Sequence, residues 1–239
     1  MNKIITAFEK KHIDESEPWN YSERAAEKLR HLWVRNQVEA HISDDGPLLD
    51  VGCSLGQLTG ELLMLNKKLY AIDISSAAVQ KAYTILKPKF PLIQPENFIT
   101  GTGLNIPFPN GFFSGVVMSD GIHGWDLNKE EKLLALKEAH RVLKTGGFVF
   151  LTDYMHPKYF QDHINLVKET PFKIKSIQYL NDRLWFQIAN SFKVLNKFYW
   201  FRSLLKNENF ARGLAKVSSL VGKRGSKHIA VILVRYRVE

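Results

Sequence analysis

Between residues 47 and 154, apolar runs of strand length alternate with amphipathic runs of helix length, and this alternation leaves few architectures open. PLLDVG, KKLYAID, ENFITG, FFSGVVMSD and GFVFLTDY read as strands. GQLTGELLMLN, SSAAVQKAYTILK (stopped by Pro88) and NKEEKLLALKEAHRVLK (ended by the glycine pair of TGGF) read as helices. Strands joined through helices run parallel to their neighbours, with helices on both faces of the sheet. After Asp153 the rhythm changes: PFKIKSIQYL reads as a sixth strand, residues 183–220 as a long helical stretch, and KHIAVILVRYRV as a last strand. The expected fold is α/β, a mostly parallel seven-stranded sheet whose last strand runs antiparallel at or near the edge.

A chain of 239 residues is expected to form one domain. Its parts are a helical cover (1–44), a cofactor-binding core (45–155) and substrate-side elements (156–239), the last with a helical lid at about 183–220. The opening through Trp19 is polar and reads as loosely ordered. Ser22 reads as the N-cap of a helix striped by Ala25, Leu29, Leu32, Trp33, Asn36 and Val38, and SDDGP ends it. In the lid, Ile188, Phe192, Leu195 and Tyr199 share a helical face expected to pack on the domain. Phe186, Phe198, Trp200 and Phe201 fall off that face and are left to line a pocket, meet a partner or touch lipid.

No apolar run approaches the roughly 18 residues of a membrane span, and no secretory signal is legible. The lone Cys53 excludes an internal disulfide framework and suits a reducing compartment, so the expected location is cytoplasmic. The net charge of +9 is uneven: residues 1–153 hold 17 Lys+Arg against 19 Asp+Glu, residues 154–239 hold 16 against 5. Such asymmetry fits either a C-terminal surface facing something anionic or a solvated basic face.

The first strand runs into a glycine turn and a helix, LLDVGCSLGQLTGELL, where open α/β sheets receive nucleotide-like ligands. Gly52 and Gly56 are expected to let the backbone approach the ligand. Asp73, closing the second strand, is placed to accept hydrogen bonds from a ribose diol. A nicotinamide dinucleotide and S-adenosylmethionine both carry that ribose. G-C-S-L-G departs from the G-x-G-x-x-G that a pyrophosphate needs, and Asp50 before the first glycine suits an ammonium and a sulfonium instead. The turn reads as an S-adenosylmethionine site.

Over residues 45–155 the chain resembles the class I S-adenosylmethionine-dependent methyltransferases, of the type 11 kind. The resemblance rests on LLDVGCSLGQLT, AIDIS, GTGLNIPFPNGFFSGVVMSD and EAHRVLKTGGFVFLTD, in the family's order. It implies a Rossmann-like fold, S-adenosyl-L-methionine as cofactor, and cofactor contacts from Asp50, Gly52, Cys53, Ser54, Gly56, Asp73, Ile74, Thr102, Gly103, Leu104 and Ser119. Three positions depart from the pattern: Ser54 replaces the middle glycine, Thr102 an aspartate that bonds the adenine amino group, and Ser114 the aspartate of "FD". WNYSER and KHIAVILVRYRV also faintly resemble methyltransferases of nodulation factors and surface glycans.

Methyl transfer needs an oriented nucleophile and often a proton acceptor. The loop after the fourth strand, SDGIHGWD, offers His123 as the expected base and Asp120 to orient the methyl donor or the substrate. Trp125 is an aromatic wall against a cationic sulfur or a substrate ring. TDYMHP offers Asp153, Tyr154 and His156, and the resemblance implies that Trp19 and Tyr21 close over the cofactor. Tyr21, Trp125, Tyr154 and His156 are the substrate-side candidates. No His, Cys, Asp or Glu set has metal spacing, and no metal is expected. The expected acceptor is a small or medium-sized molecule such as a sugar or glycolipid precursor, anionic or lipid-linked, methylated on oxygen or nitrogen. Two alternatives stay open: RNA methylation using the basic C-terminal region, and a non-catalytic binding domain. Oligomeric state is not legible.

Overall fold

The computed structural model describes residues 2–122 and 127–236. Two helices, α1 (Asn2–Asp14) and α2 (Ala25–His41), precede the alternating core. The core runs β1 (Leu48–Val51), α3 (Gln57–Leu63), β2 (Leu69–Asp73), α4 (Ser76–Leu86), β3 (Phe98–Thr100), β4 (Phe113–Ser119), α5 (Lys129–Val142) and β5 (Leu143–Tyr154). Then come α6 (Phe160–Lys168), β6 (Lys173–Tyr179), α7 (Arg183–Ser191), α8 (Tyr199–Lys206), α9 (Glu208–Ser219) and β7 (His228–Val234).

The sheet has seven strands in the order β3-β2-β1-β4-β5-β7-β6. β1 to β5 pair parallel, and β7 is antiparallel to both β5 and β6. The late strand therefore inserts beside β5 and leaves β6 at the edge. From β1 the chain moves outward to β2 and β3, then returns to place β4 on the other side. That reversal opens a crevice beyond the carboxyl ends of β1 and β4, where ligands bind in such sheets.

Alternation along the strands sorts their residues into two cores. Leu49, Val51, Val116, Met118 and Val149 pack under α5 and α6, while Leu48, Ala71, Val117 and Phe150 pack under α2, α3 and α4. A third cluster joins Ala25 and Ala26 of α2 to Trp185, Phe186, Phe201, Leu205 and Ala211 of the C-terminal helices. It fixes those helices over the crevice.

Several local expectations are corrected. The opening is not loose: it forms α1. Ser22 is no cap; it lies in a 3-10 turn, its amide and hydroxyl donating to Glu17, and Arg24 precedes α2. The buried face of α2 is Glu27, Arg30, His31, Val34 and Val38, at spacings i, i+3, i+4, i+7 and i+11. Three of its five members are charged or polar, so a stripe sought among apolar residues settles on the wrong face. The helix α6 is unannounced in the sequence reading. The stretch 183–220 is three helices, not one: it breaks after Ser191, a 3-10 turn fills Lys193–Lys197, and Asn207 caps α9 by accepting from the Phe210 amide at 2.9 Å. With the helix broken, Phe186 and Phe201 are buried, whereas Phe192 and Tyr199 are exposed.

Candidate active site

Three residues in five take left-handed backbone angles between β1 and α3: Gly52 (φ +83°), Ser54 (φ +47°) and Gly56 (φ +82°). Among the described residues, a side chain on Gly52 would meet nothing within 4 Å, since that side faces the crevice. Gly56 serves another purpose than the expected one. A Cβ there would lie 2.7 Å from Leu86 Cδ1, so Gly56 admits α4 against the turn and does not line the cavity. Ser54 sits where a non-glycine residue is uncommon. Its amide donates to Asp73 Oδ2 at 2.9 Å and its hydroxyl bonds His12 Nε2 at 2.9 Å. The other ring nitrogen of His12 lies 2.9 Å from the Phe8 carbonyl, which can only accept. Nδ1 therefore donates to that carbonyl, and Nε2 meets the Ser54 hydroxyl. The serine that replaces a glycine thus ties the turn to α1.

Two carboxylates stand on the cavity wall. Asp50 is buried with one hydroxyl donor, Thr59 at 2.7 Å. Burial, with the nearby Asp73 charge, raises its pKa to about 7, against the Thr59 bond. Asp73 accepts from the amides of Ser54 and Ser75, each at 2.9 Å. Burial still raises its pKa against these amide bonds, and its carboxylate, with about four lone-pair sites, has room for a further donor. Cys53, Ile74, Thr102, Gly103, Leu104 and Ser119 complete the expected set on this wall. The Thr102 hydroxyl accepts from the Leu104 amide at 3.2 Å. Burial raises the Cys53 thiol well above its usual pKa, which disfavours the nucleophilic thiolate.

The N-terminal segment roofs this cavity with Phe8, His12, Trp19 and Tyr21. Two contacts pin α1 to α4. Glu9 accepts from the Ser76 hydroxyl at 2.6 Å and the Ala77 amide at 3.3 Å, at the N-terminus of α4. Lys81 donates to the carbonyls of His12 and Glu15 at the end of α1. Each places a charge where the helix dipole favours it.

A second cavity, of about 630 Å³, adjoins the first and shares Trp19, Tyr21 and Asp120 with it. Aromatic walls come from Tyr154, Trp185 and Phe186, and cations from Arg24, Lys193 and Arg202. Carboxylates come from Glu23, Glu27 and Asp120, of which the last two are held by Arg30 and Glu23 by Lys206. At the junction Asp120 takes φ +55°, its amide donating to the Thr152 carbonyl at 2.7 Å. Its carboxylate accepts from the Tyr154 amide at 2.9 Å and pairs with Arg30 Nη2 at 2.9 Å. Arg30, fully buried, also holds Glu27 at 2.7 Å and donates to the hydroxyls of Ser119 and Thr152. Behind them His228 donates from Nδ1 to Asp182, and its Nε2 faces Asp120 at 3.7 Å and Glu27 at 3.9 Å. Burial works against charging His228, but Asp182 and Glu27 outweigh it and raise its pKa. Burial likewise opposes charge on Glu27, yet Arg30 and His228 lower its pKa to about 2. Burial raises Asp120, against the pull of Arg30. Donor atoms of Glu27, Asp120 and His228 lie within 4.8 Å of one another. That is metal-like spacing, but the Arg30 guanidinium already bridges the two carboxylates, so this set does not fit a metal.

Comparisons with known proteins bear on the domain and its fold. The methyltransferase domain model matches residues 49–151, the span from β1 to β5. An uncharacterised methyltransferase of Oceanobacillus iheyensis is 29% identical over 66% of this chain and 76% of its own length. The ubiquinone/menaquinone biosynthesis C-methyltransferase UbiE of Coxiella burnetii is 38% identical, but over 25% of this chain and 22% of its own length. The solved phosphoethanolamine N-methyltransferase 2 of Haemonchus contortus, bound to phosphomonomethylethanolamine and S-adenosylhomocysteine, superposes with a TM-score of 0.60. That match is 14% identical and covers 87% of this chain and 53% of that one, a likeness of fold. Residues 49–151 of this chain are a methyltransferase domain, and the fold is that of the class I S-adenosylmethionine-dependent methyltransferases.

The methyltransferase gathers most of the expected site, though not all of it. Asp120 stands at the junction and Tyr154 in the second cavity. His123 and Trp125 lie outside the described residues. His156 borders neither cavity; its Nδ1 accepts from the Lys158 amide at 3.2 Å and caps the turn Pro157–Tyr159. Asp153, one position from Tyr154 on β5, points to the opposite face, toward His163. The sequence reading missed His12, Glu27, Arg30, His31, Asp182 and His228. One signal was there to find: Glu27, Arg30 and His31 recur at helical spacing in line with Val34 and Val38. Among the described residues no helix is long and apolar enough to cross a membrane.

Proposed function

We propose that this methyltransferase transfers the methyl group of S-adenosylmethionine to an oxygen or nitrogen of a small or medium-sized, anionic acceptor held in the second cavity. The observation that carries the reading is the pair of adjoining cavities with Asp120 on both. The first cavity fits the cofactor. Asp50, nearly without donors, would meet its cationic amino acid end, and Asp73, with lone pairs to spare, would take the ribose diol. Gly52 leaves room for close approach, and Ile74, Thr102, Gly103 and Leu104 would flank the adenine. Bound there, the cofactor supplies an electrophilic methyl group next to the junction.

The chain's own residues then do three things. Arg24, Lys193 and Arg202 attract an anionic group of the acceptor, while Tyr154, Trp185 and Phe186 hold its apolar part. Trp19 and Tyr21 cover the junction and exclude water. Asp120 accepts the proton that the acceptor's hydroxyl or ammonium releases as its lone pair bonds to the methyl carbon. The buried environment makes Asp120 a better base than an ordinary carboxylate, and Arg30 fixes its direction.

Asp120→Asn tests the assignment, because asparagine tolerates the left-handed backbone of this position. With a radiolabelled methyl donor and a panel of phosphorylated or carboxylated acceptors, turnover should fall about 100- to 10,000-fold. Cofactor affinity measured by calorimetry should change little. Equal losses in both would make Asp120 a wall residue only. Tight cofactor binding by the unaltered protein, without transfer to any acceptor, would favour a non-catalytic binding domain.

A further inference from the structure

The connection from α7 to α8, with the first turn of α8, carries the largest exposed apolar side chains in the C-terminal region. Phe192, Val194, Phe198, Tyr199 and Trp200 fall within nine residues, with Val194 75%, Tyr199 79% and Trp200 59% exposed. They form one patch rather than scattered singles: Phe192 and Trp200 both rest against the buried ring of Phe201, at centroid distances of 6.5 and 5.6 Å. The segment is anchored from beneath by Trp185, Phe186, Phe201 and Leu205. Exposed Lys193, Lys197 and Arg202 interleave with the patch, and Lys197 lies 5.1 Å from the Phe198 ring centre. From Arg183 to Asn207 there are five Lys+Arg and no Asp or Glu.

We propose that this patch docks on an anionic lipid bilayer and delivers a lipid-borne acceptor to the second cavity. Tryptophan and tyrosine beside lysine and arginine is the combination that settles at a bilayer surface, the rings at headgroup depth and the cations on acidic headgroups. The charge also argues against a second copy of the chain, since a symmetric contact would set these cations against one another. The same segment supplies Asn190, Lys193, Asn196 and Arg202 to the second cavity, so its mouth lies beside the docking patch. An amphiphile with an acidic head would pass from bilayer to cavity without crossing water. The delivery step rests on the reading of that cavity as the acceptor site; the docking does not.

Flotation with vesicles of phosphatidylcholine containing 30% phosphatidylglycerol, against pure phosphatidylcholine, tests the docking. Binding is expected to the anionic vesicles and to fall with salt. The Tyr199→Ser/Trp200→Ser variant and Lys197→Glu should each reduce it, the latter about fivefold or more. None of the three residues lines either cavity, so cofactor affinity by calorimetry should stay as in the parent. Absence of flotation on anionic vesicles would overturn the proposal. So would loss of a dimer in light scattering by the same variants without flotation, which would assign the patch to a second copy. Binding to polyglutamate that equals vesicle binding and ignores Trp200→Ser would assign it to an acidic protein. Flotation together with methyl transfer to water-soluble acceptors that vesicles do not alter would keep the docking and remove the delivery.

Discussion

A carboxyl group sealed at the end of a parallel strand has to keep its proton or meet a cation. Asp50 is in that position, with a pKa near 7 and a single hydroxyl donor. A cationic cofactor favours the ionised form, so its binding should expel the proton. At pH 6, calorimetry in two buffers of different ionisation enthalpy is expected to show nearly one proton released per cofactor bound. Affinity should rise as pH climbs toward 7 and level off above it. In Asp50→Asn the release should vanish and binding weaken by about 1.5–3 kcal/mol, the worth of a hydrogen bond to a charged group. Proton release that survives the substitution would place the titrating group elsewhere. The neighbouring turn shows why a departure from a family pattern need not weaken a site. Ser54 accepts the strain of a left-handed backbone and gains, through its hydroxyl, a bond to His12 that glycine cannot make.

No described residue of α1 joins the three hydrophobic clusters, and polar contacts tie the helix to α4. Glu9 at the start of α4 and Lys81 at the end of α1 hold the roof of the cofactor cavity. The bond that Glu9 accepts from Ser76 outweighs its slight burial and lowers its pKa. Glu9→Gln and Lys81→Ala are each expected to weaken the contact by about 0.3–1 kcal/mol. Amide exchange in α1 should accelerate and cofactor affinity fall by a similar factor, with exchange in β1 and β4 unchanged. Exchange in α1 that does not respond would mean that His12 and Phe8 alone hold it. The helix α2 teaches a related lesson. Its inner face carries Glu27, Arg30 and His31 because it packs on the end of the sheet, where Ser119, Asp120 and Thr152 need partners.

Across the whole molecule, buried histidines set the response to acid. Burial, with Arg30 nearby, lowers the pKa of His31 to about 3, and burial lowers His163 to about 4. Unfolding restores ordinary values near 6.5, so between about 6.5 and 3 the unfolded chain binds protons that the native state refuses, and stability falls as pH falls. Asp50 opposes this in the absence of cofactor, since its raised pKa makes the native state bind a proton between about 4 and 7. Thermal melts of His31→Gln against the parent should isolate the first effect. The parent is expected to lose ground on the variant by on the order of 1.4 kcal/mol per pH unit below about 6.5; a constant difference would remove His31 from the account. Local periodicity made the parallel core and the glycine turn legible, because strand alternation, helical spacing and a left-handed glycine are properties of a few consecutive residues. It also placed Asp50, Asp73 and Asp120, each at a strand end beside the crevice. The Glu27–Arg30–Asp120–His228–Asp182 network was not legible, since its members come from four parts of the chain. A buried charge is tolerable only where opposite charges meet it, and no stretch of sequence records that meeting. The sequence by itself determined the sheet, the turn and the carboxylates at its strand ends; the tertiary structure decided which helix face is buried, which loop residues reach the site and what roofs it. The reason is that strand and turn follow from neighbours along the chain, whereas pairing of buried charges and closure of a cavity follow from neighbours in space.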